Sequence, residues 1–367
     1  MRRSSVVIFL EVHLGMAMID RRIFLQLTGG AAAGAAALSP ITGGRASAAA
    51  NGDVLGLVHA RDGVATSLAD PLSMLSERLH LASGGRLVLQ MASAGHEDVE
   101  ADSSLILASE DTFADRDPMS LLLGGSPFCA SAGAFDATTW LRGMGGQALW
   151  DQSAASSGYK PLLVARLNRA DAHVWAHQSF SLPRDFSGVR ISAPMAIHEP
   201  LRMLGAEPTL LPTAKLVSAF EAGDIHAFET HDSSVGLEMA RRWKGGISWA
   251  SGSLAGTSRV ISLRIPLAQW QALTAADQAI VEAVAQETAA TLQAIQKVHA
   301  APFTKEIARA AGRGPWPVRS EIRSALSAEA ARLLAPLSKS DPLFASALAS
   351  MTALVEPAFK SDSIGVS

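Results

Sequence analysis

The chain holds one cysteine, Cys129, among 367 residues. That count excludes an intramolecular disulfide and a cysteine zinc cage, and nothing near Cys129 resembles a catalytic-cysteine motif, so it reads as a lone buried thiol. Strong charge of one sign is missing too. A formal net charge of −3, with 18% charged and 48% hydrophobic residues and no polybasic run, leaves no electrostatic footprint for nucleic acid. Catalytic signatures are equally scarce. There is no Gly-x-Ser-x-Gly elbow, no dinucleotide-binding glycine fingerprint after a strand, and no conspicuous pair of carboxylates. Gly84-Gly85 is followed by no Lys-Ser/Thr, which argues against a phosphate cradle and for a tight helix-to-strand turn needing positive φ.

What is present begins with an export signal. Residues 20–26 read DRRIFLQ, a twin-arginine signature, and the alanine- and glycine-rich run to Leu38 is a weakly apolar segment too short and polar to anchor in a membrane. Small residues at 46–50 offer cleavage sites, with no cysteine for a lipid anchor. The segment before Met18 reads as superfluous to this signal, and translation is expected to start at Met16 or Met18. Removing residues 1–50 takes away five arginines and two acids, which leaves a mature charge of −6. The expected product is a folded, soluble periplasmic protein.

The remaining length suits two domains. Strands are expected at 54–59, 87–91, 103–110, 161–167 and 259–265, and helices at 68–81 and 238–243. Thr274 with Asp277 is a capping-box variant opening a long helix to about Ala300, with Ile280, Val281, Val284, Leu292 and Ile295 as its apolar stripe. Ser327 and Asp341-Pro342 are expected to start two short C-terminal helices.

The most informative stretch runs from Pro183 to Ser233. Asp185 and Gly188 form a turn into the short apolar strand 189–193, and Pro194 ends it. A helix follows with Ile197, Leu201 and Leu204 on one face, closed by Gly205. The strand 209–211 then precedes a helix capped by Thr213, carrying Leu216, Val217 and Phe220 and closed by Gly223. Strand, helix, strand, helix, strand in about fifty residues is the unit of a wound α/β sheet.

This order resembles the extracytoplasmic solute receptors of tripartite ATP-independent periplasmic (TRAP) transporters, the DctP family. Those receptors have Asp-Leu-Lys-Gly-Leu-Lys-Ile-Arg, a helix ending Leu-Gly-Ala, a proline-bearing strand, an Ala-Leu helix and Gly-x-x-Asp-Ala-x-Glu. Here Asp185 to Ser192, Leu204 to Ala206, Pro208, Pro212, Ala219 to Gly223, Ala227 and Glu229 fill the slots in order. Asp117-Pro118, Pro127-Phe128, Trp140-Leu141, Gly145-Gly146, Leu149-Trp150-Asp151 and Gly158 resemble the subgroup that binds 2-oxo acids and other small carboxylates. Trp140 and Trp150 themselves read most simply as core aromatics.

The resemblance implies an α/β, two-domain periplasmic binding protein fold with a long helix spanning both domains. The chain path places domain I at 51–169 plus 258–297 and domain II at 170–257 plus 298–367. Its implied function is capture of a small polar solute in the cleft between them and delivery to the permease subunits, with no chemistry and no membrane span of its own. Ligand-binding candidates carried over are Trp175, Arg190, Ser192, Glu229, Thr230 and His177. The family arginine that grips a ligand carboxylate falls on Ser192, and Arg190 lies one strand step of about 6.6 Å away, placed either to reach the ligand or to point to solvent. Simple 2-oxo acids such as pyruvate are therefore expected to bind weakly or not at all, with Ser192 favouring a neutral or hydroxylated solute. Glu229 holds the slot that in the subgroup helps bind a cation or the ligand, so sodium is the one cofactor to consider, with His231 beside it. The rival reading is a metal-dependent lyase or hydrolase using His226, Glu229 and His231, and a third is a sensing receptor with a diverged pocket. His173 and His177 read as surface histidines on one strand.

Overall fold

A computed structural model describes residues 54–60, 71–91, 105–128, 136–168, 171–255 and 258–362. The expected export signal and Cys129 lie outside the described residues.

Two sheets organise the chain. The first contains β1 (Val54–Ala60), β2 (Val88–Met91), β3 (Leu105–Ser109), β4 (Tyr159–Leu167) and β10 (Arg259–Pro266) in the order β2-β1-β3-β10-β4. β10 is antiparallel to both neighbours, whereas β1, β2 and β3 are parallel. The second contains β5 (His173–Ala176), β6 (Arg190–Ser192), β7 (Glu207–Thr209), β8 (Ala227–Thr230), β9 (Ser248–Ser251) and β11 (Trp316–Pro317) in the order β11-β9-β5-β8-β6-β7. β4 leads into β5 and β9 leads back into β10, two strand-to-strand crossovers between the sheets, and the helices after β10 carry the chain across a third time to β11.

Helices cover both faces of each sheet. α1 (Pro71–Ala82) places Leu72, Leu75 and Leu79 on the first sheet. α2 (Met119–Leu123), α3 (Ala137–Gly143) and α4 (Gly146–Ala155) close its other face, with Trp140 and Trp150 buried in that core as expected. On the second sheet, α5 (His198–Met203) lies on one face; α6 (Thr213–Glu221) and α7 (Ser233–Arg242) lie on the other. α8 (Leu267–Ala272) follows β10.

α9 (Ala275–Ala311) is 37 residues long, about 55 Å at 1.5 Å per residue. Thr274 Oγ1 accepts from the Asp277 amide at its start. Val281, Val284 and Leu292 pack on the first sheet, and Ile307 and Ala311 pack on the second. The helix thus spans both sheets and continues eleven residues past the expected end at Ala300. Pro302 lies inside it, and the carbonyl that loses a donor belongs to Val298, whose side chain is exposed.

Three boundaries differ from the sequence reading. β7 begins at Glu207 rather than at residue 209, because Pro208 sits on an edge strand where its missing N–H costs no ladder bond. Thr213 is the first helical residue of α6, and no side chain caps the helix. α10 (Ser320–Ser340) starts seven residues before Ser327, since Ile322, Leu326, Ala330 and Leu334 make one continuous i,i+4 stripe. α11 (Pro342–Asp362) follows, capped by Asp341. Neither C-terminal helix is short. Phe344, Ala347 and Met351 of α11 pack into the first sheet's core, although 298–367 was expected to belong wholly with the second.

Candidate functional site

β6 and β8 are parallel, and both run from a solvent-exposed end toward the crossovers between the sheets. Their carboxyl ends, where wound sheets place ligand sites, carry Ser192, Glu229 and Thr230. These three residues, with His231, Asp232 and Arg259, line a cavity of about 50 Å³. At roughly 10–15 Å³ for each water-sized sphere, it admits only a small molecule. A wider hollow of about 440 Å³ beside α1 and β2 has Glu77 and His80, both exposed, as its ionisable side chains, so the polar cavity is the better candidate.

Each wall is fixed by local bonding. Ser192 Oγ accepts from the Leu211 amide at 3.1 Å and Thr230 Oγ1 from the Asp232 amide at 3.0 Å. Glu229 is buried and clamps the β9–β10 crossover: its carboxylate accepts from Ser253 Oγ at 2.5 Å and the Leu254 amide at 2.8 Å. Burial pushes the Glu229 pKa up, against the opposing pull of Ser253, Arg259 and Leu254. His231 is driven well below the usual imidazole range by burial first, then by the Arg259 charge and by the neighbouring His173. It is therefore neutral at pH 7, and its Nδ1 accepts from Arg259 Nη2 at 2.9 Å.

Arg259 opens β10, and its stem packs over Gly125. A Cβ on that glycine, whose φ is 100°, would lie 2.7 Å from Arg259 Cγ. The starts of α6 and α7 also face the cavity through Thr213 and Asp232, adding the partial positive charge of helix N-termini.

Other candidates lie elsewhere. Trp175 is fully buried and stacked on Trp249 with centroids 5.7 Å apart, inside the core beneath α6 and α7 rather than on the cavity wall. Arg190 stands at the exposed start of β6, where Nη2 bonds the Gly223 carbonyl at 2.5 Å and contacts His226 Nε2 at 3.0 Å. Of its two expected placements, it takes the solvent one. His177 is exposed at that same sheet end, stacked on Phe220. His173 is not a surface histidine: it is 2% exposed, and neither ring nitrogen finds a partner among the described residues.

The metal reading fails on geometry. His226 precedes β8 and His231 follows it, about 16 Å apart along an extended strand. Glu229 lies between them. Among the described residues no three His, Cys, Asp or Glu side chains converge on a cation site. A sodium ion at Glu229 would meet the Arg259 charge that stands nearby, at a carboxylate that already accepts from Ser253 and Leu254.

No family model and no curated protein matches the chain. Solved structures do. A TRAP periplasmic solute-binding protein from Pseudoalteromonas atlantica T6c, with bound sodium and pyruvate, superposes with a TM-score of 0.73 at 18% identity, covering 85% of this chain and 96% of that one. The fold is that of the TRAP solute-binding proteins. A second such protein, from Colwellia psychrerythraea with bound calcium and pyruvate, gives 0.71 at 16% identity over 85% of this chain and 97% of that one. A third, from Bordetella bronchiseptica RB50 with copurified calcium and picolinate, gives 0.70 at 16% over 84% and 93%. The TRAP-type fold expected from the ordered motifs is thus borne out over 85% of the chain.

Sequence reasoning missed Arg259, which reads as the first residue of a buried strand. It also missed Ser253 and Leu254. The available signal was a basic residue opening the otherwise apolar run RVISLRIP.

Proposed function

We propose that this chain is an exported receptor that captures a small organic acid, or a hydroxylated relative, and delivers it to a TRAP membrane permease without chemistry of its own. The observation that carries this reading is the polar cavity at the carboxyl ends of β6 and β8, beside both strand-to-strand crossovers between the sheets. Ser192, Thr230 and His231 supply neutral hydrogen-bonding groups, Arg259 supplies the positive charge, and Glu229 and Asp232 are the acidic side chains on the same wall. The small volume favours a solute of a few heavy atoms. Two lobes, one around each sheet, would close on the solute by bending at the crossovers.

The export route is read from the twin-arginine segment at 20–26, with the periplasm as destination. Among the described residues no helix is long and apolar enough to cross a membrane. Opposite-end placement of His226 and His231 argues against the metal-dependent enzyme.

A thermal-shift screen of the purified protein against carboxylates, polyols, sugars and amides tests the reading. A solute at 100 times its Kd adds about 2.7 kcal/mol, several degrees in a protein of this size. Saturable shifts from small acids or hydroxy acids are expected. Silence across every class would remove the receptor function.

A further inference from the structure

Three arginines are buried among the described residues; Arg166, 8% exposed, is paired with Asp136, and the other two differ in one respect. Arg264, 1% exposed, is paired with Glu110 and Asp117 at 2.6 and 2.9 Å. Arg259, 9% exposed, has as its described polar partner a neutral imidazole, His231 Nδ1. Its buried Nε donor finds no acceptor among the described residues. A guanidinium carries five donors, and a buried charge without a hydrogen-bonded counter-charge is costly. Glu229 is coupled to it electrostatically, but its described hydrogen bonds come from Ser253 and Leu254 rather than from Arg259. The uncapped start of α6 borders the same cavity.

We infer that Arg259 is the anion-binding residue of this receptor and acts as a fixed cation, pairing with the solute's carboxylate without any bound metal ion. A guanidinium matches a carboxylate in two-pronged geometry. His231, held neutral, orients Nη2, and the residue borders the cavity. Pyruvate, expected to bind weakly or not at all while Ser192 alone was considered, becomes a reasonable probe. This inference rests on the receptor reading and specifies how that receptor recognises its solute.

The test is calorimetric titration with pyruvate as its Tris salt, after treatment with chelator in sodium-free buffer, repeated with sodium and with calcium. Picolinate and pyroglutamate serve as further carboxylates and glycerol as a neutral control. The expected result is carboxylate binding whose Kd does not change on adding either cation. Arg259→Gln should weaken it roughly 10- to 100-fold, with Arg259→Lys recovering part of the loss. Binding that appears only with sodium or calcium, or that survives Arg259→Gln unchanged, would overturn the inference and leave the receptor reading standing, as would binding of glycerol alone. Absence of binding by every probe, including the wider screen, would remove both. The cation comparison uses unaltered protein, so it decides even if a variant at Arg259 does not fold.

Discussion

Arg264→Met should cost about 3–5 kcal/mol, the usual price of removing one partner from a buried ion pair. Arg264 Nε and Nη2 donate to Glu110 at 3.1 and 2.6 Å, and Nη2 donates to Asp117 at 2.9 Å. Ser262 donates to Glu110 and Ser153 to Asp117. The guanidinium carbon lies 3.9 Å from the Phe113 ring centroid. Burial alone would lower the Arg264 pKa; the two carboxylates outweigh it and raise it. Methionine would fill most of the volume but leave two carboxylates buried without their cation. Thermal melting followed by circular dichroism should show a fall of roughly 5–10 °C. Arg264→Met with Glu110→Gln should recover part of it, because one of the stranded charges is removed. A loss below 1 kcal/mol would mean the network relaxes or admits water.

The second large effect is acid destabilisation through His173. Burial lowers its pKa from 6.5 to about 4, and neither ring nitrogen has a partner among the described residues. The unfolded chain therefore binds a proton that the folded chain refuses. Stability is fully present above pH 6.5, falls as pH drops from 6.5 toward 4, and by pH 4 has lost about 3 kcal/mol on this account. His173→Leu, close in volume and apolar, should be as stable as the parent at pH 7, since it also removes two unsatisfied polar atoms. It should lose about 3 kcal/mol less than the parent between pH 7 and pH 4. Denaturant midpoints at both pH values measure this. Parallel losses in parent and variant would show that His173 is solvated or paired. His231 and His198 are also held below their usual range, chiefly by burial, so some acid sensitivity remains in the variant.

The wound segment between Pro183 and Ser233 was legible because its punctuation is chemical. Gly188, Gly205 and Gly223 each adopt positive φ where a turn or helix end requires it. Periodicity also placed the apolar faces of α1, α6 and α9. Ser192, Glu229 and Thr230 were legible through the ordered motif, and all three line the cavity. Trp175 and His173 were misread for one reason. β5 lies between β8 and β9 with helices over both faces, so neither side of that strand reaches solvent. Strand alternation alone does not reveal a central strand. Arg190 and Ser192 share a strand face, yet one lies at each end of a three-residue strand, and only the carboxyl end meets the cavity. Arg259 stayed hidden because its role depends on partners far away in sequence: Gly125 beneath its stem and His231 beside its head.

The most direct test of solute capture in this cavity is calorimetric titration with the tightest-binding acid from the screen, comparing the parent with Ser192→Leu. Ser192 is 2% exposed on the cavity wall, and a leucine there would occupy much of the roughly 50 Å³ available. Melting curves alongside would verify that the variant is folded. The expected result is one site per chain in the parent and no measurable binding in the folded variant. An unchanged isotherm in Ser192→Leu would contradict it, placing any bound solute elsewhere on the molecule.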